Sequence, residues 1–258
     1  MLTVRLIATW GLAAAVALLV ISQVIAKAAE QSKLNGWIIH QQCTFLGDHV
    51  VYVCPFGVKA ICVKSGLSIQ SCPPFDQYVI YNLTTGKIFR IEGTRFRHPM
   101  EKTLSACNGF SFGMIPLVRE RETVLAGVPC TVYKATATFA DSQLARFKAK
   151  EFPSRNPRSV QLTTTDEMTK SPGANRMLSC WYCLPPAPGL PLQFNYRDID
   201  NDQHEYLALQ KCERALLKDS DFALPPSLKS ASSVQDVTMG NVYDQEAVQM
   251  MFGGEDRK

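Results

Sequence analysis

YVIYNLTTGKIFRIE, residues 78–92, decides the fold class of this chain. Two runs rich in β-branched and aromatic residues, 78–81 and 87–91, flank a polar segment that ends in Gly86. Such runs are typical of β-strands, and a short loop of Asn, Thr and Gly between them is typical of a hairpin. The stretch therefore predicts two antiparallel strands.

Similar runs occur on both sides of this hairpin, separated by Gly, Pro and Asn. They are 36–40, 50–54, 60–64, 130–136, 177–183 and 190–196. Short strands at such spacing predict a mainly β (α+β) fold built on an antiparallel sheet. The alternation of apolar and polar residues over 87–92 is imperfect, which indicates a sheet partly covered on both faces.

Other segments interrupt this pattern. Asp141 is a candidate N-cap for a short helix that ends at Lys150. Residues 151–175 contain three prolines and predict a long loop, and 97–117 carries apolar residues among Ser, Gly and Asn, as a lid would. Residues 204–216 favour a helix by composition, yet their alternation equally permits a strand.

The N-terminus has the features of an export signal. Arg5 precedes an apolar run, and Ala26-Lys27-Ala28 provides the small residues that a signal peptidase recognises. We therefore expect residues 1–28 to be a signal peptide cleaved between Ala28 and Ala29, with a periplasmic or extracellular destination. The alternative is an uncleaved N-terminal membrane anchor, since the apolar run is nearly long enough to span a bilayer.

Composition excludes some classes of protein. The formal net charge is +4, and without Arg5 and Lys27 it is +2, from 25 basic and 23 acidic residues. This balance gives no reason to expect nucleic-acid binding. A hydrophobic content of 46% and a charged content of 19% indicate an ordinary globular chain.

The nine cysteines are potential disulfide partners in an exported chain. Because the number is odd, at least one is unpaired or joins another molecule. Cys54 and Cys62 lie close across a tight connection and are the pair most readily joined to each other. If 177–183 is a strand, Cys180 and Cys183 point to opposite faces, and each has its own partner, with Cys212 a further candidate.

The Cys-x-x-Cys motif at 180–183 also permits a secreted thiol-disulfide enzyme. In thiol-disulfide enzymes the reactive cysteine usually lies at the N-terminus of a helix. The prolines that follow this motif oppose a helix that begins at the second cysteine. A zinc site with His204 or Cys212 lacks a second close ligand pair. No G-x-S-x-G, H-E-x-x-H or Walker motif occurs, so we expect no catalytic residues, metal or cofactor.

One basic run is a candidate for contact with an anionic membrane surface. Its members are Arg146, Lys148, Lys150, Arg155 and Arg158. A solvated surface is the alternative interpretation.

Three fragments in order resemble the LolA-like superfamily of periplasmic lipoprotein-carrier-like proteins and their uncharacterised secreted relatives. They are YVIYN (78–82) with GKIF (86–89), then ETVLAGVPCTVY (122–133), then Trp181 with GLPL (189–192) and FALP (222–225). The resemblance covers roughly residues 50–230. It implies a strongly curved antiparallel sheet, an unclosed half-barrel, with helices covering its concave face, where family members hold acyl chains. It also implies that 204–216 is a strand.

Together these observations predict an exported binding protein whose single half-barrel domain spans 29–230, followed by a flexible tail, 231–258. Its ligand would be an apolar molecule or the acyl chain of a lipid or lipoprotein, held on the concave sheet face. Candidate lining residues are Phe110, Phe112 and Met114 in the lid, and Val79, Tyr81, Ile88 and Tyr133 in the sheet. The sequence leaves open which alternate set of strand residues faces inward. It also permits the alternative that the protein is a purely structural envelope interaction module.

Overall fold

The computed structural model describes residues 35–44, 46–96, 112–148, 157–198 and 200–239. The strands of this part of the chain are β1 (Gly36–Cys43), β2 (Gly47–Cys54), β3 (Gly57–Cys62), β4 (Leu67–Ser71), β5 (Gln77–Asn82), β6 (Lys87–Glu92), β7 (Leu117–Leu125), β8 (Val128–Ala135), β9 (Pro157–Thr165), β10 (Leu190–Asp198), β11 (Gln203–Ala215) and β12 (Lys229–Ser230). The helices are α1 (Ala137–Lys148), α2 (Pro172–Trp181) and α3 (Val234–Met239), with 3₁₀ turns at Phe112–Met114 and Asp219–Phe222.

All these strands belong to one sheet, in the order β12-β6-β5-β4-β3-β2-β1-β11-β10-β9-β8-β7. Neighbours are antiparallel except β12 and β6, which are parallel. Two meanders, β1–β6 and β7–β11, are therefore joined where β1 pairs with β11. The end strands β12 and β7 do not pair with each other, so the sheet is not closed. This confirms the predicted mainly β fold, an unclosed half-barrel with covering helices.

The inner face of the sheet is the one that packs against α2. It carries residues such as Ile39, Val51, Ala60, Ile69 and Ile80, each fully buried. These side chains form one continuous core with the buried side of α2. Burial of each large apolar side chain contributes about 1.5–3 kcal/mol, so this face supplies most of the stabilisation of the fold.

The outer face is partly covered by the segment that follows β11. Leu217 and Phe222 pack against Cys54 in a second, smaller apolar cluster. Two buried or half-buried strand residues hold this segment: Lys59 Nζ donates to the carbonyl of Asp221 at 2.8 Å, and Gln70 Nε2 to that of Phe222 at 2.9 Å. Cover on both faces explains the imperfect alternation of the strand sequences.

The decisive hairpin forms as predicted. Strands β5 and β6 pair from Gln77 opposite Glu92 to Asn82 opposite Lys87. The ambiguous segment 204–216 is a strand, β11, which confirms what the resemblance implied. It pairs with β1 on one side and β10 on the other, so tertiary pairing overrides its helical composition.

Four expectations need correction. Helix α1 begins at Ala137, not after Asp141, and Thr136 Oγ1 accepts the N–H of Phe139 at 3.4 Å. Strand β9 lies in the predicted loop 151–175, because its Thr-rich sequence pairs with β8 and β10. The predicted strand at 177–183 is largely helix α2. Folded structure continues past residue 230, since α3 buries Val237 completely.

Ile69→Ala tests the inner-face core. Ile69 is fully buried between Ala60 and Ile80 on the neighbouring strands. Loss of its side chain leaves a cavity, so we expect the free energy of unfolding to fall by about 2–5 kcal/mol in urea titrations. Val63→Ala is the control, because Val63 is 60% exposed, and it should change the value by less than about 0.5 kcal/mol. Equal effects of the two substitutions would contradict this core.

Candidate functional site: a pocket beside helix α2

Helix α2 begins where two start signals follow each other. Ser171 is the N-cap, and its side chain accepts the backbone N–H of Ala174 at 3.4 Å. Pro172 occupies the first turn, where its missing N–H has no intrahelical partner to lose. The start of the helix is therefore determined locally.

The helix ends in a Schellman arrangement. The N–H of Leu184 donates to the carbonyl of Ser179 at 2.8 Å, and that of Cys183 to the carbonyl of Cys180 at 3.2 Å. Cys183 has a φ of 54°, in the left-handed region where glycine is usual. Such a conformation costs a residue with a β-carbon roughly 1–2 kcal/mol. Pro185 follows and cannot extend the helix.

A buried hydrogen-bond network joins the end of α2 to the centre of the sheet. Gln41 Nε2 donates to the carbonyls of Pro191 at 2.9 Å and Leu192 at 3.1 Å. The Tyr182 hydroxyl donates to Gln41 Oε1 at 3.1 Å, and the Tyr206 hydroxyl donates to the Tyr182 carbonyl at 3.1 Å. Burial raises the pKa of both tyrosines, so both remain neutral donors.

The start of α2 is held by β5. The Tyr78 hydroxyl donates to the carbonyl of Gly173 at 3.0 Å, and burial raises the pKa of Tyr78 to about 12. A β-carbon on Gly173 would collide with the backbone of Phe75. Both ends of the helix are thus fixed to the inner face.

The face of α2 turned away from the sheet opens onto the α2 pocket, a cavity of about 890 Å³. Its lining residues are Gly113, Met114, Asp166, Lys170, Pro172, Asn175, Arg176, Ser179, Cys180, Cys183, Leu184, Pro186, Ala187, Pro188 and Gly189. The volume lies in the range of small-molecule sites, about 300–1,000 Å³. Most of the lining is apolar, with a few polar and charged groups, which is the usual composition of such sites.

Five residues of α2 line this pocket: Pro172, Asn175, Arg176, Ser179 and Cys180. Their spacing of three and four residues places them on one stripe of the helix. The charged residue and the amide lie in the first half of the helix, and the thiol lies near its end. The pocket-lining stripe of α2 therefore carries its charged and amide groups in the first half of the helix and its weakly polar thiol near the end.

The charged groups of the lining are two cations and one anion. Lys170 and Arg176 are exposed, and Arg176 Nη2 donates to the carbonyl of Thr94 at 3.2 Å. The anion is Asp166. Asn175 is only 7% exposed, and its Oδ1 has no hydrogen-bond partner. A buried polar atom left in this way costs about 1–3 kcal/mol, so it points to a missing partner.

Of the three predicted lid residues, Met114 lines the α2 pocket and is 81% exposed. Phe112 does not form part of a mobile cover, because it is 5% exposed and packs on the rings of Phe194 and Tyr206 at 5.1 and 4.9 Å. Phe110 lies outside the described residues. The structure therefore brings one lid candidate to the site.

The predicted sheet residues lie elsewhere. Val79, Tyr81 and Ile88 are on the outer face, because their neighbours Ile80 and Phe89 take the inner one. Tyr133 is half-buried against the core beside Leu162. Val79 lines a separate outer groove of about 610 Å³ with Phe222 and Leu224. None of the four lines the α2 pocket.

The structure does not join Cys54 to Cys62. Both are free thiols, with Cys54 in the outer cluster and Cys62 in the inner core. Cys212 is also a free thiol, and burial, aided by the nearby Cys130 thiol, raises its pKa to about 11. Cys180 and Cys183 do not point to opposite faces of a strand, since both line the α2 pocket.

Sequence reasoning missed Lys170, Asn175 and Arg176 because it treated 151–175 as loop and 177–183 as strand. The signal that could have found them is Ser171-Pro172, an N-cap followed by a first-turn proline. Spacing of three and four residues from Pro172 would then have placed Asn175, Arg176 and Cys180 on one face.

Other predicted features stay predictions. Residues 1–28, with Ala28 and Ala29, lie outside the described residues, as do Lys150 and Arg155. Side chains of Arg146 and Lys148 in α1 are not described, and Arg158 is exposed on β9. No helix in the described ranges combines the length and apolarity needed to cross a bilayer. Within the same ranges, no cluster of three His, Cys, Asp or Glu residues is arranged to hold a metal.

One buried histidine contacts the end of α2. His49 is 1% exposed, its Nδ1–H donates to the carbonyl of Gly47 at 2.9 Å, and its ring meets those of Tyr182 and Trp181 edge-on. Its Nε2 has no partner. Burial lowers the pKa of His49, although the Gly47 bond and the Asp48 charge oppose this. The imidazole is therefore neutral in the folded protein.

No protein-family model matches this chain, and no curated protein matches it. Solved structures to which it is similar include three at 8–12% identity. An uncharacterized conserved protein from Thermus thermophilus is 11% identical, with 81% of this chain and 98% of that chain covered and a TM-score of 0.40. A MucA/MucB complex from Pseudomonas aeruginosa is 12% identical, with 82% and 63% covered and a TM-score of 0.32.

The third, the LolA superfamily protein NE2245 from Nitrosomonas europaea, is 8% identical, with 73% of this chain and 88% of that chain covered and a TM-score of 0.24. Likenesses at these levels carry over no ligand and no activity to this chain.

Ser171→Ala tests the local origin of α2. Loss of the N-cap should lower the free energy of unfolding by about 1 kcal/mol, because the N–H of Ala174 loses its acceptor. Ser171→Asp keeps an acceptor and should retain most of the stability. Urea titration of both variants measures the difference, and equal destabilisation by alanine and aspartate would contradict the capping role.

His49→Gln tests the neutral state of the buried imidazole. Because the pKa of His49 is lower in the folded than in the unfolded chain, the unfolded state gains the proton first as the pH falls below about 6.5. Stability should therefore fall with pH in that window, by at most about 1.4 kcal/mol per pH unit. In His49→Gln this contribution should disappear from the pH slope of the urea-derived stability. An unchanged slope would show that His49 does not cause it.

Proposed function

We propose that this protein is a non-enzymatic binding protein that holds an apolar or amphipathic ligand in the α2 pocket. The observation that carries the proposal is a cavity of about 890 Å³ with mainly apolar walls beside a helix fixed at both ends. The ligand lies on the far side of α2 and not on the concave sheet face expected from the sequence, because the inner face is filled by its own core.

The rigidity of the walls supports binding. Helix α2 is held through Tyr78 at its start and Tyr182 at its end, and the opposite wall contains Pro186 and Pro188. Proline restricts the backbone, so little conformational entropy is lost when a ligand enters. A largely preformed apolar pocket with a few polar groups is the usual form of a small-molecule site.

A thiol-disulfide enzyme is the second candidate, because Cys180 and Cys183 both line the pocket. Their position in the helix opposes it. Cys180 lies in the last turn of α2 and Cys183 just beyond its end, where the negative end of the helix dipole disfavours a thiolate. Thiol-disulfide exchange requires the thiolate as nucleophile, so the geometry favours binding over this chemistry.

Export through residues 1–28 and membrane contact through the basic run belong to the proposal as predictions from the sequence. An exported binding protein would encounter apolar ligands released from a membrane, and an apolar pocket is suited to bind them. The basic run would bring the protein to an anionic surface.

Ala187→Trp tests the ligand site. A Trp side chain at this pocket-lining position occupies space that a ligand needs, so the affinity for the neutral probe Nile red should fall about tenfold, or about 1.4 kcal/mol. Fluorescence titration of the purified protein measures this. Ala137→Trp is the matched control, because Ala137 is exposed at the start of α1, and it should bind as the parent does.

Two results would count against the proposal. Nile red binding that Ala187→Trp leaves unchanged would place any ligand elsewhere, with the outer groove beside Val79 and Phe222 as the next site to test. A parent protein that does not bind the probe at all would favour a structural interaction module.

A further inference from the structure

The lining of the α2 pocket is polarised along the helix. We propose that the pocket selects single-chain amphiphiles with an anionic headgroup, a carboxylate or a phosphate ester. This inference rests on the proposed function. The headgroup lies at the N-terminal end of α2, beside Lys170, Asn175 and Arg176, and the tail extends toward Cys183 and Leu184.

The helix itself gives this end a positive potential. Helix α2 has ten residues and no acidic residue in its first turn. Its dipole is therefore not compensated locally, and the partial positive charge of its N-terminus favours an anion. The Ser171 side chain accepts the N–H of Ala174, and its carbonyl accepts that of Asn175 at 3.1 Å. With a rise of about 1.5 Å per residue, the two ends of the helix are about 15 Å apart, far enough to separate head from tail.

Two side-chain cations reinforce this potential. Lys170 immediately precedes the N-cap, and Arg176 lies on the pocket stripe one turn beyond Pro172. Arg176 donates one hydrogen bond to the carbonyl of Thr94, whereas a guanidinium has five N–H donors. The remaining donors suit a carboxylate or phosphate, which accept bidentate pairs.

The one acidic group of the lining does not cancel them. Asp166 lies beside Gly189, where its Oδ1 would be 2.9 Å from a β-carbon on that glycine. It therefore belongs to the wall formed between β9 and β10. With Lys170 and Arg176, the three charged side chains leave the lining with a net positive charge.

Asn175 is the independent observation that points to a headgroup. It lines the pocket, is 7% exposed, and its Oδ1 has no partner. Such a buried, unmatched amide is unfavourable for stability unless a ligand completes its hydrogen bonds. Because Oδ1 itself is buried, the group that Asn175 offers to an anionic headgroup is its amide N–H, which an anionic oxygen can accept.

Part of the pocket lining suits an alkyl tail. Its uncharged members include Met114, Cys183, Leu184, Ala187 and Pro188, while the carboxylate of Asp166 lies beside Gly189. Burial of each methylene against such walls contributes about 0.8 kcal/mol, so the tail supplies affinity and the headgroup supplies selectivity.

Four probes with one dodecyl chain and different heads test the selectivity. They are dodecanoate, dodecyl phosphate, dodecanol and dodecyltrimethylammonium, each titrated into the purified protein below its micelle concentration by calorimetry. We expect both anions to bind about tenfold more tightly than dodecanol, and the cation to bind most weakly. The tighter of the two anions identifies the headgroup as a carboxylate or a phosphate.

Two variants locate the headgroup. The double variant Lys170→Gln/Arg176→Gln should lose about three- to tenfold in affinity for the anions and nothing for dodecanol. Arg197→Gln/Lys211→Gln is its control, because both residues are exposed on β10 and β11 and neither lines the pocket. Asn175→Leu should weaken anion binding while it raises the urea midpoint, since it removes an unmatched buried amide. A purely structural asparagine would show the opposite change in midpoint.

The outcomes separate the two proposals. If dodecanol and the anions bind equally, and Lys170→Gln/Arg176→Gln changes neither, the headgroup proposal is wrong while the apolar pocket stands. If none of the four probes binds, and Ala187→Trp leaves Nile red binding unchanged, the proposed function fails as well. Preferred binding of the cation would also overturn the headgroup proposal.

Discussion

The position of Gln41 at the seam between β1 and β11 is the constraint on which the rest of the structure depends. Its side chain is 1% exposed and hydrogen-bonds the carbonyls of Pro191 and Leu192 and the hydroxyl of Tyr182. One buried amide thus connects the first meander, the second meander and the end of α2. Because buried polar groups are costly when unmatched, the network admits one arrangement of these three parts.

The pocket follows from that arrangement. Once both ends of α2 are fixed, one side of the helix buries Met177, Leu178 and Trp181 in the core, and the opposite stripe must face outward. The chain then returns to β10 through a proline-rich segment that supplies the other wall. The left-handed conformation of Cys183 permits this return. The left-handed conformation at the end of α2 and the shape of the pocket therefore both result from the return of the chain to β10.

The sheet also explains the distribution of thiols. Strand residues alternate between faces, so the register that buries Cys62 in the inner core places Cys54 under the outer segment. Cys54 and Cys62, close in sequence, therefore lie on opposite faces of the sheet. The same alternation put Val79, Tyr81 and Ile88 on the outer face. Spacing alone does not supply such a face assignment, since a shift of one residue exchanges the faces.

The sequence by itself determined the 78–92 hairpin and strands such as β2, β3, β8 and β10, because β-branched residues and turn chemistry act between near neighbours in the chain. Only the tertiary structure decided that 203–215 is a strand, since its partners β1 and β10 are needed to override its helical composition. It also decided which face is inner and that Lys170, Asn175, Arg176 and Cys180 meet at one pocket. Those outcomes depend on pairing between residues far apart in the chain, such as Ile39 with Cys212, and no local pattern encodes such contacts.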